Sequence, residues 1–207
     1  MPLQKVLLAV KLFELETSVR KASHQLGLAY NTTYNLYNLI RIVILPLTAG
    51  NERFTGEIEV DESYFGGRRK GKRGRGAAGK VPVFGILERG GKVRVEVVDD
   101  VKGDTLLHLT LKKVKRGSLI YTDKFRSYDG LVSYGFKHER IDHGLKFANG
   151  KVYINGIEGF WSFAKERLMK YHGVDPGKFP LYLQELEFRY NYRNSDLFDM
   201  VMRQLKM

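Results

Sequence analysis

Two acidic residues that each follow a β-branched run, and a third that opens a helical stretch, restrict this chain more than any other feature. Asp61 follows the alternating run of GEIEVDESYFGG, Asp123 follows the apolar run of GSLIYTDKFRSY, and Glu158 lies in NGIEGFWSFAK. They stand 62 and 35 positions apart. A chain that spaces acids this way and gathers them in space must set two strands side by side and lay a late helix over them. Such a group suits hard divalent cations, because Mg²⁺ takes few protein oxygens and keeps positions for phosphate and water. Two ions about 3.5–4 Å apart can activate a nucleophile and stabilise a leaving oxygen in phosphodiester chemistry. The residues therefore point to a metal-dependent enzyme acting on a nucleic-acid backbone, with Asp61, Asp123 and Glu158 as metal ligands.

The rest of the pattern supports an α/β domain behind a helical one. Residues 1–48 read as three helices. Thr17 or Ser18 is a cap for the second, which starts at Val19 and stops at Gly27, and a third runs from about Asn31 to Ile42. Helix, short glycine turn, helix is the helix-turn-helix pattern. The polar start of the third helix, Asn31, Thr32 and Thr33, suits contact with base edges or phosphates. A packing or dimerisation element made of three helices fits the same residues. Pro46 to Asn51 reads as a linker, and residues 49–207 as one domain. Within it come strands at Glu57–Asp61, Val81–Leu87 and Val93–Val98, a helix over Thr105–Leu111, and a strand at Leu119–Thr122. Helices then follow over Ile154–Met169 and Phe179–Tyr192. Hairpin-linked strands, a helix, a further strand and more helices make the order of an RNase H-like domain, a mixed sheet flanked by helices.

One segment cannot belong to a core. GGRRKGKRGRGAAGK, Gly66 to Lys80, holds seven basic residues (Arg68, Arg69, Lys70, Lys72, Arg73, Arg75, Lys80), six glycines and no large apolar side chain. It is expected as a mobile loop whose amides and guanidinium forks bind phosphate. The formal net charge of +12 also favours a polyanionic partner. The chain has no cysteine, so disulfides and thiolate zinc sites are excluded. No apolar run approaches the roughly 20 residues of a membrane span. A cytoplasmic protein with no membrane partner, associated with the nucleoid when on DNA, is the expectation.

On the late helix, Lys165 follows Glu158 by seven residues and returns to within about 20° of the same face. It is a candidate phosphate contact beside the metal site. Asn155, about 60° away by the same geometry, is a second candidate for the active site. Trp161 reads as a core anchor.

VDESYFGG, the basic glycine-rich loop, GKVPVFGILERGGKV, YTDKFRSYDGL, NGIEGFWSFAKERL and LYLQELEFRYNYRN occur in one order. Together they resemble the DDE transposases of prokaryotic insertion sequences, in the branch whose first motif reads Asp-Glu-Ser/Thr-Tyr-x-Gly-Gly. The likeness runs over residues 56–194, and more loosely over 5–45 as that family's helix-turn-helix. It implies an integrase-like, RNase H-like catalytic domain with Asp61 and Asp123 as the first two acidic positions. Glu158, or else Asn155, is the third position, and Lys165 the basic residue after it. It further implies two Mg²⁺ ions, with Mn²⁺ able to substitute. Hydrolysis at the element ends and attack of the released 3′-hydroxyl on target DNA follow, carried out by a homodimer or larger assembly. A nuclease or resolvase of the same fold, and an inactive DNA-binding remnant, are the alternatives. Relatives often carry a cysteine-rich zinc ribbon ahead of the helix-turn-helix. This chain has none, which leaves a shortened copy or a branch without the ribbon.

Overall fold

Strand β1, Glu57–Phe65, is the middle of a five-stranded sheet, and its two sides carry different chemistry. The computed structural model describes residues 1–50, 52–66, 80–123, 128, 130–141, 153–171 and 173–205. The chain divides into two units, residues 51–169 and residues 1–50 with 170–207.

In the first of these, β2 (Val81–Glu88) and β3 (Val93–Val97) form a hairpin, and β2 pairs antiparallel with β1. Strand β4, Leu119–Asp123, lies parallel to β1 on its other side, and β5, Lys137–Ile141, lies parallel to β4. The order is β3-β2-β1-β4-β5. That mixed sheet, with helices on it, is the RNase H-like arrangement expected from the element order. Because successive side chains of a strand alternate between faces, Ile58 and Val60 face one way. They pack with Phe84, Ile86, Ile120 and Leu106 of a helix at Gly103–Lys113. Each such side chain contributes about 1.5–3 kcal/mol by leaving water. Glu59 and Asp61 point to the opposite face, which takes the helix Asn155–Met169.

β5 was not expected. Its sequence, KHERI, exposes or half-exposes every residue but Ile141, so it lacks an apolar alternation. Hydrogen bonding to β4 makes it a strand.

The second unit is helical. Helices α1 (Leu3–Glu14), α2 (Val19–Leu26), α3 (Tyr30–Val43) and α4 (Leu45–Thr48) come from the start of the chain. With Gly103–Lys113 as α5 and Asn155–Met169 as α6, the last two are α7 (Phe179–Asn191) and α8 (Leu197–Gln204). Ser18 caps α2 through the Lys21 amide, and Gly27 ends it at φ +59°, a left-handed conformation that glycine adopts freely. The segment expected as a linker begins in α4, where Pro46 fits the first turn because its missing N–H has no partner to lose there.

Residues 170–207 were expected with the sheet. Instead α7 and α8 pack with α1, α3 and α4, where Phe188 and Val201 share a core with Phe13, Tyr37 and Ile40 and a buried charge network runs beside it. Arg41 of α3 donates from Nε to Glu185 Oε2 at 2.7 Å, and Arg189 donates from Nε to the other oxygen at 2.8 Å. Arg189 also donates to the carbonyls of Phe13 and Glu14 at the end of α1, where the helix ladder no longer supplies its regular amide partners. The Arg41 guanidinium lies 3.8 Å from the Tyr182 ring centroid. One carboxylate thus bridges helices from both ends of the chain.

Candidate active site

Asp61 and Asp123 meet where β1 and β4 run side by side. The parallel register pairs Glu59 with Tyr121, and two residues further along sets Asp61 beside Asp123. Their carboxylate oxygens, together with one from Glu62, lie within 4.8 Å of one another. Glu62 was not foreseen. Alternation sends it to the α5 face, away from Asp61. There the hydroxyl of Tyr128 donates to Glu62 Oε2 at 2.9 Å. Burial first, then the charges of Glu62 and Asp61, push the Tyr128 hydroxyl well above its ordinary pKa, so it stays a donor. The acidic group therefore draws on both faces of the sheet at one end of β4. No sequence period reveals such a group. The adjacency of Asp61 and Glu62 was its only trace.

The cluster is costly as it stands. Burial first, and then the negative charges of Glu62 and Asp123, raise the Asp61 carboxyl from its ordinary 3.8 to about 7. Three carboxylates crowded together with no other donor type form a hard-oxygen set, which fits a divalent cation such as Mg²⁺.

Helix α6 lies on Asp61 through two hydrogen bonds in step. Ile157 N–H donates to Glu59 Oε2 at 2.9 Å, and Trp161 Nε1–H donates to Asp61 Oδ2 at 3.0 Å. Four residues of helix rise about 6 Å and two residues of strand about 6.6 Å, so both bonds form at once. Two glycines permit the approach. A Cβ at Gly156 would come within 2.8 Å of Glu59 Oε2, and one at Gly85 within 2.5 Å of Trp161 Cζ2. Glu59 is in turn held by Arg89 Nε at 3.0 Å. Arg89 also reaches Glu57 and the Tyr153 carbonyl, with its guanidinium 3.6 Å and 4.0 Å from the Tyr121 and Tyr153 rings.

Glu158 is in the first turn of α6 and exposed. It is not part of the three-acid group, where Glu62 stands instead. Asn155 begins α6 and is exposed. Lys165 is exposed on the same helix, its Nζ 5.9 Å from the ring centroid of Phe65, four residues beyond Asp61 on β1.

Of the residues expected to meet DNA, Asn31 and Thr32 are exposed at the start of α3, and Lys80 is half-buried just before β2. Thr33 is a correction. It is fully buried, and its hydroxyl donates to the Ala29 carbonyl at 3.2 Å, so it faces the helical core and no ligand. Arg68, Arg69, Lys70, Lys72, Arg73 and Arg75 lie outside the described residues.

A family described as ISXO2-like transposase domain matches residues 53–191, from just before β1 through α7. An uncharacterized transposase-like protein of Haemophilus influenzae is 47% identical over 106 residues, which is 51% of this chain and 85% of the relative. Among solved structures, the Mos1 strand transfer complex aligns over 96% of this chain and 75% of its own, at 12% identity and a TM-score of 0.38. A Mos1 transposase paired-end complex with the left transposon end aligns over 94% and 77%, at 11% identity and a TM-score of 0.30.

Proposed function

This chain belongs to the family of ISXO2-like transposase domains, and on that footing we propose that it cuts DNA at the ends of an insertion sequence and joins those ends to a target. The observation that carries the reading is the meeting of Asp61 and Asp123 on adjacent parallel strands, their carboxylates within 4.8 Å.

Asp61 and Asp123 hold divalent metal, two Mg²⁺ ions in the full site, with Mn²⁺ as a substitute. Glu62 adds charge beside them, and Glu158 is the third ligand brought by α6, with Asn155 as the second choice. When bound, such ions activate a water or a 3′-hydroxyl and stabilise the oxygen that leaves. The remaining work belongs to the chain. Trp161 and Glu59 keep α6 in register with β1, and Lys165 meets a phosphate near the acids. Arg68, Arg69, Lys70, Lys72, Arg73, Arg75 and Lys80 add backbone affinity that ignores base sequence. Helices α2 and α3 read or grip duplex DNA through Asn31 and Thr32. Joining requires two element ends together, so the working form is a dimer or a larger assembly on DNA, acting in the cytoplasm where that DNA lies.

The test is a strand-transfer assay with labelled element ends, a supercoiled plasmid and Mg²⁺. Joined products that vanish in Asp61→Asn and Asp123→Asn support the proposal. Nicks without joining support a nuclease or resolvase of the same fold. Joining that survives Asp61→Asn overturns the assignment of the site.

A further inference from the structure

We propose that Trp161 is a positioning residue for Asp61, fixing the carboxylate through its indole N–H so that a cation finds it already aimed. The inference rests on the metal-site reading above and extends it to a residue that touches neither DNA nor ion.

Four observations carry it. The Nε1–H to Oδ2 bond is 3.0 Å, normal for N–H donation to a carboxylate. The indole N–H is a donor only, so it holds an anionic oxygen and never competes for the cation. The ring is 4% exposed and cannot swing away. Phe65 and Phe160 meet it edge-on at 6.0 and 5.2 Å between centroids, and Gly85 lies beneath it with no side chain to lift it. Finally, the bond belongs to a matched pair. Ile157 N–H on Glu59, one helical turn earlier, sets the height of α6 along β1, so the Trp161 donor has one place to stand.

Groups that hydrogen-bond a metal's ligands orient them, and their loss typically costs about 10- to 100-fold in metal affinity. A carboxylate crowded by two other acids has most to gain. Without a donor on one oxygen, mutual repulsion turns it away from Glu62 and Asp123, and a cation must reorder it on binding.

The composition supplies the reporter, because Trp161 is the only tryptophan of the chain. Its indole N–H therefore gives one side-chain resonance in an amide-type nitrogen–proton spectrum of the full chain. We expect Mg²⁺ to move that resonance saturably, at the concentration where calorimetry detects binding, and the shift to be absent in Asp61→Asn. Trp161→Phe keeps an aromatic ring, removes the N–H and leaves part of the space over Gly85 unfilled. It should raise the half-saturating Mg²⁺ concentration of the folded protein by about tenfold, with a thermal midpoint below that of the parent because of the cavity.

An indole resonance that stays still while calorimetry records Mg²⁺ binding lost in Asp61→Asn overturns the role of Trp161 and leaves the metal site standing. Unchanged Mg²⁺ affinity in a folded Trp161→Phe protein does the same. Mg²⁺ binding that persists in Asp61→Asn removes both readings. The wild-type titration needs no variant to fold, so the proposal stays open to refutation if Trp161→Phe does not.

Discussion

Gly85 stands opposite Asp61 in the β1–β2 pairing, and the indole of Trp161 fills the volume that a side chain at position 85 would take. A Cβ there would lie 2.5 Å from Trp161 Cζ2, closer than any packed interior allows. Gly85→Ala should therefore lift α6 or rotate Trp161, at about 1–3 kcal/mol of stability, the usual cost of overpacking. Urea unfolding measures it, and cleavage should fall in the same variant. An unchanged midpoint would show that α6 leaves room for a methyl group above the sheet.

The third carboxylate is decided by comparing three variants under one Mg²⁺ titration. Glu158→Gln should lower cleavage by orders of magnitude, because a neutral amide binds Mg²⁺ weakly and supplies no charge. Glu62→Gln should raise the Mg²⁺ requirement with less effect at saturating metal, since its carboxylate also answers to Tyr128. Asn155→Ala should cost least. A dead Asn155→Ala beside a tolerant Glu158→Gln reverses the order of the two α6 candidates, and a dead Glu62→Gln beside that tolerance assigns the role to β1.

Asp61 makes the metal-free protein sensitive to pH. Its folded-state carboxyl is raised to about 7 from 3.8, so the folded chain binds this proton more tightly than the unfolded chain does. The stability it contributes is complete below the unfolded value and is lost as pH rises through the folded one. Without metal, thermal midpoints should fall between about pH 4 and pH 7 more steeply in the wild type than in Asp61→Asn. At pH 8, Mg²⁺ should raise the wild-type midpoint and leave Asp61→Asn nearly unmoved. Equal slopes for the two proteins would remove Asp61 as the source.

Glu185 joins Arg41 and Arg189, all three buried. Glu185→Ala leaves two buried guanidinium groups facing each other without their carboxylate. Removing one partner of a buried pair costs about 3–5 kcal/mol. Loss of helical signal at lower urea than the parent is the expected result, and a midpoint equal to the parent's would show that water reaches the site.

Neutralising Arg68, Arg69, Lys70 and Arg73 together should flatten the dependence of log affinity on log salt for duplex DNA, by about 0.9 for each phosphate that the protein no longer neutralises. Binding measured over a series of salt concentrations checks it. An unaltered slope would mean that these side chains stay in solvent when DNA is bound.

Asp123 was legible because it closes an apolar run, and its place at the tip of β4 is a local property; the strand expected to end at Asp61 instead runs on to Phe65 and holds that residue mid-strand. The helical start of the chain was legible for the same reason, through Ser18 and Gly27. What escaped depends on partners far away. Glu185 and Arg189 look like a solvated helix face until Arg41, 144 positions before Glu185, is set against them. Thr33 looks like its exposed neighbours, yet the step of about 100° between successive helix residues turns it inward. Strand β5 has no pattern of its own and takes its form from β4. Glu62 lies on the wrong side of its strand for any periodicity argument, yet a carboxylate oxygen of it comes within 4.8 Å of those of Asp61 and Asp123.

The sharing of one unit by residues 1–50 and 170–207 bears on synthesis. A ribosome delivers α1 to α4 before the sheet, and α7 and α8, which complete their core, after it. The sheet and α6 emerge whole in between. Domains fold as units as they leave the ribosome, so the helical unit, begun before the sheet, is completed after it. Until Arg189 emerges to meet the end of α1, the early helices wait with their apolar faces uncovered. A chaperone, or slow translation of the last segment, would act on those helices and leave the acidic cluster untouched.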